Sequence, residues 1–365
     1  MGGDRPKPLV TIGGVPLVER NLLAALGAGA QALILVVPAA APDLRAWAEG
    51  RATRLCAALG VTLQIHVEWV PGGTGGCLSF AGGTRRPVLM IYADNLTGLD
   101  LAAFDRAHEA TGADVTVAVH DEPFTLSFGR VRQEAGRLTG YDEKPTLPIT
   151  IASGAYLFDG DAVSAVEPAR AAAGRLDVPD LIRLRLATGR DVRTFMHTAA
   201  WIDVNDAAAR LRAERLLGQR PELERWARIG PLTEVCGAVL TRGDEVLLER
   251  RPETAKLYPA AWDTPGGKIE PGESPEVCIA RELQEELGLH GLTLSALVTF
   301  DDVEPRRGWV RHHVFRAELG PDVSVAAREG QTLAWHPVGA TGAEWALPAV
   351  RSLAYLGDPG AGGRL

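Results

Sequence analysis

Lysine is nearly missing from this sequence. Of 38 basic residues in a chain of 365, only Lys7, Lys144, Lys256 and Lys268 are lysines, and the rest are arginines. Arginine usage this heavy is the mark of a GC-rich genome. The two cations are not interchangeable, so the retained lysines mark places where a compact ammonium is wanted. Cysteine is scarce as well. Cys56, Cys77, Cys236 and Cys278 are widely spaced, with no CxxC pair. That pattern excludes a zinc ribbon or a disulfide scaffold and predicts four small buried thiols in a reducing, cytoplasmic compartment. No long apolar run is present: in the N-terminal half the longest, residues 32–41, falls far short of the roughly 20 residues a membrane helix needs. The opening residues are polar and proline-broken, unlike a secretory signal. Positive charge is not in excess, the net charge being -8. Neither nucleic acid nor a membrane surface is therefore an expected partner.

What is there reads as an ordinary globular protein, 46% hydrophobic and 23% charged, long enough for two domains. Up to about residue 217, apolar strand-like runs (residues 32–37, 61–69, 87–93 and 115–119) alternate with amphipathic stretches (44–59 and 99–110). Such alternation predicts an α/β domain with a largely parallel sheet. A helix over 206–217 closes it, and residues 218–230 read as a polar linker. From 231 to 365 the texture changes to two strands around the turn at 242–244, a Gly/Pro-rich loop, one strong helix, three further strands and a last helix near 348–356. The tail 357–365 is glycine-rich.

The strong helix carries the densest signal. Ser274 fits an N-cap, Pro275 the first helical position and Gly288 the terminating position. At about 100° per residue Glu282, Glu285 and Glu286 share one face, while Val277, Ala280, Leu283 and Leu287 are expected to pack on the sheet. Three stacked carboxylates repel one another. They suit a solvated acidic surface or, more sharply, a hard divalent cation that bridges carboxylates to phosphates.

The full spacing decides between these. Gly267, five residues, Glu273, seven residues, then Arg281-Glu282-Leu283-x-Glu285-Glu286-x-Gly288-Leu289 resembles the Nudix box at every specified position, over a domain of about residues 232–357. The resemblance implies a Nudix α/β/α sandwich. It also implies Mg²⁺ (or Mn²⁺) held by Glu282, Glu285 and Glu286 with the Gly266 carbonyl, and an attacking water activated by Glu282 or a neighbour. Arg281 and Glu273 would form the ion pair that fixes the loop to the helix. The chemistry would be water attack on a phosphoanhydride. The run from Thr264 to Ser274, Arg251 before the box and Glu329 downstream look MutT-like, with Arg251 as a substrate contact and Glu329 as a further metal ligand. No asparagine stands near the last helix, where the MutT-like group reads an oxidised purine.

The N-terminal part is similar to the sugar-1-phosphate nucleotidyltransferases. The resemblance rests on six pieces in order: Arg5-Pro6-Lys7-Pro8, Gly72-Gly73-Thr74-Gly75-Gly76, the apolar strand ending in Asp94, Tyr141-Asp142-Glu143-Lys144-Pro145, Ser153-Gly154-Ala155-Tyr156 and Trp201-Ile202-Asp203-Val204. It implies a Rossmann-like three-layer sandwich that joins an NTP to a sugar 1-phosphate. Asp94 and Asp203 would hold a metal ion, and Lys7 and Lys144 the phosphates. Gly73, Thr74, Gly75, Glu143 and Gly154 would contact substrate. Open α/β sheets place ligands at such strand ends. The family's opening strand and its G-x-G-T-R loop are not in the sequence, and residues 1–7 resemble the tail of that loop. An upstream start is expected, since the absent strand lies inside the sheet and its loss leaves unpaired backbone on two neighbours.

The whole is thus read as an α/β enzyme of two domains, 1–217 and 231–365, acting on nucleotides and sugar phosphates. The alternative is an N-terminal domain that only binds or senses a nucleotide, with the Nudix half as sole activity. His312-His313 is read as one inward and one outward strand histidine, and Trp262 and Trp309 as core or rim residues within reach of a base.

Overall fold

The computed structural model describes residues 6–227, 230–328, 330–340 and 345–356. Glu329, the tail 357–365 and residues 1–5, on which part of the loop-remnant reading rests, lie outside the described residues. The chain runs through β1 (Thr11–Ile12), β2 (Val15–Pro16), α1 (Leu17–Gly27), β3 (Ala32–Pro38), α2 (Pro42–Trp47), α3 (Thr53–Ala58), β4 (Thr62–Glu68), β5 (Val88–Ile91) and β6 (Asn95–Thr97). Next comes α4 (Leu101–Thr111), started by the Asp100 carboxylate on the Ala103 N–H and stopped by Gly112 at φ 61°. Then follow β7 (Val115–Thr125), β8 (Arg130–Glu134), β9 (Arg137–Asp142), β10 (Thr146–Phe158), α5 (Gly160–Ser164), α6 (Val166–Ala173) and α7 (Val178–Ala187). The middle of the chain ends with β11 (Val192–Met196), β12 (Trp201–Asp203) and α8 (Ala207–Leu217). The last part is β13 (Leu232–Arg242), β14 (Glu245–Arg250), β15 (Trp262–Asp263), α9 (Pro275–Leu287), β16 (Ser295–Glu304), β17 (Gly308–Glu318), β18 (Thr332–Pro337) and α10 (Leu347–Ala354).

These elements form two compact units. One comprises Met1–Val67, Ala93–Gly98 and Ile202–Leu365, the other Glu68–Tyr92 and Leu99–Trp201. The second unit is a four-stranded sheet in the order β11-β7-β10-β5. β7 and β11 are parallel, but β10 runs antiparallel to both β7 and β5. The sheet is therefore mixed rather than largely parallel. The cause is local: β7 returns as β10 through the β8–β9 hairpin, and a hairpin return can only be antiparallel. Alternate residues Val115, Val117, Val119, Tyr156 and Phe158 meet Val163, Val166, Val178 and Leu181 in one core. Arg185 and Asp114 form a buried ion pair at its edge.

In the first unit β3 pairs with β4, β6 with β12, and six strands make one sheet in the order β15-β14-β13-β17-β16 with β18 against β14. Among the described residues β3 has only β4 as a strand partner and β5, in the other unit, only β10. α9 covers Ala238, Leu240, Phe315 and Ala317 through Cys278, Ile279, Leu283 and Leu287. This corrects the expected packing face: Val277 and Ala280 are exposed, because the buried stripe follows Ile279, Leu283 and Leu287 at four-residue steps. At the other end of the β16–β17 hairpin, Val303 and Trp309 share a cluster with Leu22, Leu23 and Leu26 of α1, Leu55 and Cys56 of α3, and Trp226.

Two further expectations change. The segment 218–230, read as polar, buries Leu223, Glu224 and Trp226. The buried Glu224 carboxylate is met by groups from outside the segment, accepting from Arg20 at 2.7 Å, Arg351 at 2.5 Å and the Tyr355 hydroxyl at 2.7 Å. Of the four cysteines, Cys236 and Cys278 form a disulfide, and Cys56 and Cys77 are free. Packing of α9 on β13 brings the two backbones to a Cα–Cα distance of 6.5 Å, within bridging range. Spacing in sequence carries no sign of that approach, and the thiol argument for a reducing compartment loses two of its four residues. No helix among the described residues is long and apolar enough to cross a membrane.

Candidate functional site

The acidic helix α9 is built as its sequence implies. The Ser274 hydroxyl accepts from the Val277 N–H at 3.3 Å, Pro275 occupies the first turn, and Gly288 at φ 68° ends the helix. The loop before it is laced to β13: the Cys236 N–H donates to the Gly267 carbonyl at 2.9 Å, Ala238 to Pro265 at 2.9 Å, and Ile269 to Glu234 at 3.1 Å. Glycine is required at one point of this loop, and at the next it leaves room for a carboxylate. Gly266 sits at φ 147°, and a Cβ there would meet the Cys236 carbonyl oxygen at 2.3 Å. A Cβ on Gly267 would lie 2.1 Å from Glu282 Oε1.

Arg281 organises the carboxylates. Its Nε and Nη2 donate to the two Glu273 oxygens at 2.9 and 3.0 Å, and Nη1 donates to Glu282 at 2.8 Å and Glu285 at 3.1 Å. Bidentate pairing of this kind fixes geometry as well as charge. The Glu273 carboxyl is held below the usual range by those hydrogen bonds. Glu282 is pushed the other way by burial, which outweighs Arg281. Glu286 accepts the Gly266 N–H at 3.1 Å, tying the third acid to the loop. Among the described residues no three acidic or histidine side chains stand ready as a metal cage. Arg281 lies between Glu282 and Glu285 instead. The donors still suit a hard cation: three carboxylates on one face, beside a loop whose close approach only glycine permits.

Beside this helix opens a cleft lined by Arg251, Tyr258, Asp263, Gly266, Lys268 and Glu304 among others. Arg251 donates to the Leu257 carbonyl at 3.1 Å and to Asp263 at 3.3 Å. Burial raises the Asp263 carboxyl to about 6 despite that arginine. His312, also on the wall, is held neutral by burial, its pKa lowered to about 4, while His313 pairs outward with Glu234 at 3.3 Å. Sequence reasoning missed Asp263, Glu304 and His312 as site residues. The three acids Asp301, Asp302 and Glu304 at the end of one strand were the available signal. Trp309 is core, and Trp262 packs edge-on against His336 at 4.8 Å.

The N-terminal candidates divide between the units. Lys7, Asp94 and Asp203 belong to the first, where Lys7 Nζ donates to Asn205 Oδ1 at 2.6 Å and Asn205 in turn donates to Asp203. Asp203 ends β12, which pairs with β6 directly after Asp94. Gly73, Thr74, Gly75, Glu143, Lys144 and Gly154 belong to the second. There the glycine turn spends its donors internally: Thr74 N–H and hydroxyl on Asp177, and the Gly75 and Gly76 N–H groups on the Leu176 carbonyl. Gly73 at φ 90° has no room for a Cβ, which would lie 2.3 Å from the Leu176 carbonyl oxygen. Glu143 accepts from the Tyr141 hydroxyl at 2.9 Å, and Lys144 is held at φ 44°, a region that disfavours non-glycine residues. Gly154 at φ 77° lies in the register shift of β10 between Ala152 and Tyr156.

Comparison with known proteins meets this geometry from outside. The nucleotidyl transferase family model matches residues 2–219, and the NUDIX domain model matches residues 231–353. The chain is 32% identical over 106 residues to the CTP pyrophosphohydrolase of Escherichia coli (strain K12), covering 28% of this chain and 75% of that protein. It is 43% identical over 67 residues to the NAD-capped RNA hydrolase NudC of Stutzerimonas stutzeri (strain A1501). That match spans 18% of this chain and only 22% of NudC. Among solved structures, HddC from Yersinia pseudotuberculosis aligns at a TM-score of 0.44 and 18% identity, over 60% of this chain and 92% of HddC. A MutT NUDIX hydrolase from Burkholderia pseudomallei aligns at a TM-score of 0.32 and 22% identity, over 35% of this chain and 99% of that one.

Proposed function

Because the chain belongs to the nucleotidyl transferase family and carries a Nudix domain after it, we propose two functional domains, 1–217 and 231–365, with phosphoanhydride hydrolysis in the second. The substrate is a nucleoside triphosphate or another nucleoside diphosphate derivative, and the resident ion is Mg²⁺, with Mn²⁺ as a substitute. The observation that carries this reading is the α9 constellation: Arg281 clamped on Glu273, with Glu282, Glu285 and Glu286 on one face and the Gly266 N–H on Glu286.

Glu282, Glu285, Glu286 and the Gly266 carbonyl would hold the ion, and Glu329 is proposed as a further ligand. A bound divalent cation supplies charge stabilisation to phosphate oxygens and acidifies a water. The residues do the rest. Arg281 and Glu273 fix the loop so that Gly267 presses against the Glu282 carboxyl. Burial keeps the Glu282 proton affinity high, which suits a carboxylate that takes a proton from water. Arg251 and Lys268 line the cleft as phosphate or ribose contacts. A nucleotide at an RNA end is a second substrate class, supported by the NudC relatives.

For the N-terminal domain we propose joining of an NTP to a sugar 1-phosphate, with Asp94 and Asp203 for a metal ion and Lys7 and Lys144 for phosphates. The alternative is a domain that only binds or senses nucleotide; the Thr74 turn, whose donors are taken by Leu176 and Asp177, supports neither reading over the other. If both halves acted on one NDP-sugar, synthesis and hydrolysis would cancel, so different substrates are proposed. Incubation of the full chain and Mg²⁺ with a panel of NTPs, NDP-sugars and NAD-capped RNA, with chromatographic separation of products, tests the scheme. Failure of every panel member to yield a nucleoside monophosphate product would overturn the Nudix assignment. Formation of an NDP-sugar only when a sugar 1-phosphate is added, with no NDP-sugar from the NTP alone, would establish the transferase.

A further inference from the structure

The cleft beside α9 contains an acceptor with nothing to accept. Glu304, at the end of β16, is 4% exposed, and its Oε2 has no hydrogen-bond donor, only an ion-pair contact with Arg307 at 3.4 Å. Across the β16–β17 hairpin His312, 8% exposed, likewise leaves Nε2 without a hydrogen bond. Both line the cleft. The neighbouring carboxyl, Asp263, is different: it is already satisfied by Arg251 and by the Thr264 N–H at 2.9 Å. A buried polar atom left unpaired is costly and calls for a partner. Here the partner that restores the balance must bring an N–H or O–H donor into the cleft.

We propose that Glu304 accepts the exocyclic amino group of the nucleobase, so that the cleft selects amino-bearing bases over uracil and hypoxanthine. The inference rests on the reading that this cleft holds a nucleotide, and it adds which end of the nucleotide meets which wall. Gly266 and Lys268, also in the lining, belong to the loop packed against the α9 carboxylates and define the phosphate end. Glu304 then serves the base end. Cytosine, adenine and guanine each offer an amino donor to a carboxylate oxygen. Uracil offers only an imide N–H flanked by two carbonyls, one of which would face the second carboxylate oxygen. Hypoxanthine has no amino group at all. A carboxylate accepting from a base amino group is a recognised mode of base reading, worth roughly tenfold or more in discrimination. Sites built to pair a donor reject ligands that lack it strongly, because the buried acceptor is then left unpaired.

The test uses the full chain with Mg²⁺ and three pairs: CTP against UTP and ATP against ITP, in which a carbonyl replaces the amino group, and GTP against ITP, in which the amino group is removed. In the wild type at least one amino-bearing nucleotide should exceed its amino-free counterpart in kcat/KM by at least about tenfold. Glu304→Leu should raise KM for the preferred nucleotide and bring the ratio to within about threefold of unity. Glu304→Gln, which keeps a carbonyl acceptor, should restore an intermediate ratio. Equal losses on both members of a pair would assign Glu304 to the ribose or to catalysis and overturn the proposal, as would a ratio that survives Glu304→Leu. Calorimetric titration with CMP, UMP, AMP and IMP separates the two levels. A Glu304-dependent preference for an amino-bearing monophosphate without hydrolysis would refute the hydrolase reading and leave this inference standing. Identical titrations of wild type and Glu304→Leu would refute this inference even in an active hydrolase.

Discussion

Glu224→Ala removes a side chain remote from the acidic helix, yet the packing of the first unit makes it a severe change. The carboxylate is 1% exposed and accepts three hydrogen bonds, from Arg20, Arg351 and Tyr355. The two guanidiniums are almost as buried and have few substitutes: Arg20 also donates to the carbonyls of Ile12 and Leu223, and Arg351 to that of Asp301. Removing the acid strands two cations in the core, a loss of about 3–5 kcal/mol for a broken buried pair. With a urea slope of about 2–3 kcal/mol/M, the unfolding midpoint should fall by roughly 1–2 M. Burial alone would push the Glu224 carboxyl up, but Arg20 and Arg351 overcome it and hold it below its ordinary value. A depressed carboxyl contributes stability above its unfolded pKa and loses it as pH falls through the folded one. The gap between wild type and variant should therefore be full at neutral pH and shrink in acid. The assay is urea unfolding at pH 7 and pH 4 with both proteins. A midpoint shift below about 0.3 M at pH 7 would refute the claim that this triad holds α1, the 218–230 segment and α10 together.

Three further outcomes are expected. Gly267→Ala forces the Glu282 carboxyl to move from a Cβ that would sit 2.1 Å away, so kcat should fall on the order of a hundredfold with the circular dichroism spectrum unchanged. Arg281→Ala frees Glu273 and should weaken activation by Mg²⁺ by roughly 10–100-fold, read as a shift of the Mg²⁺ titration midpoint. Asp263, raised to about 6 by burial, makes its contribution to stability below its unfolded value near 4 and loses it as pH rises through 6. Asp263→Asn should thus be more stable than wild type at pH 8, by a margin approaching 3 kcal/mol, and no more stable at pH 4, as thermal melts at the two pH values will report.

The helix α9 was legible because its information is local. Capping residues, a three-glutamate face and a terminating glycine lie within one stretch, and the structure places each where the spacing implies. Its buried face was half misread, since Val277 and Ala280 lie one step outside a stripe whose tilt only the sheet beneath determines. The mixed order of the second unit's sheet was hidden for the same reason: alternation of strands and helices does not reveal that β7 returns through a hairpin. Contacts between distant segments left the least trace. Nothing in the sequence joins Cys236 to Cys278, Arg51 to Asp302 at 3.1 Å, or Glu224 to residues 20 and 351. The segment 218–230 looked polar because Glu224 was counted without its distant partners. Asp263, Glu304 and His312 escaped for a related reason: each is an ordinary strand residue until folding aims it into the cleft.

The most direct measurement on the central claim is ³¹P NMR of one NTP incubated with the full chain and Mg²⁺, wild type beside Glu286→Gln. The account predicts steady conversion to nucleoside monophosphate by the wild type, none above background without the metal, and a loss on the order of a thousandfold or more in the variant, the scale of removing a group that acts on the transition state. Conversion by Glu286→Gln at the wild-type rate would contradict it.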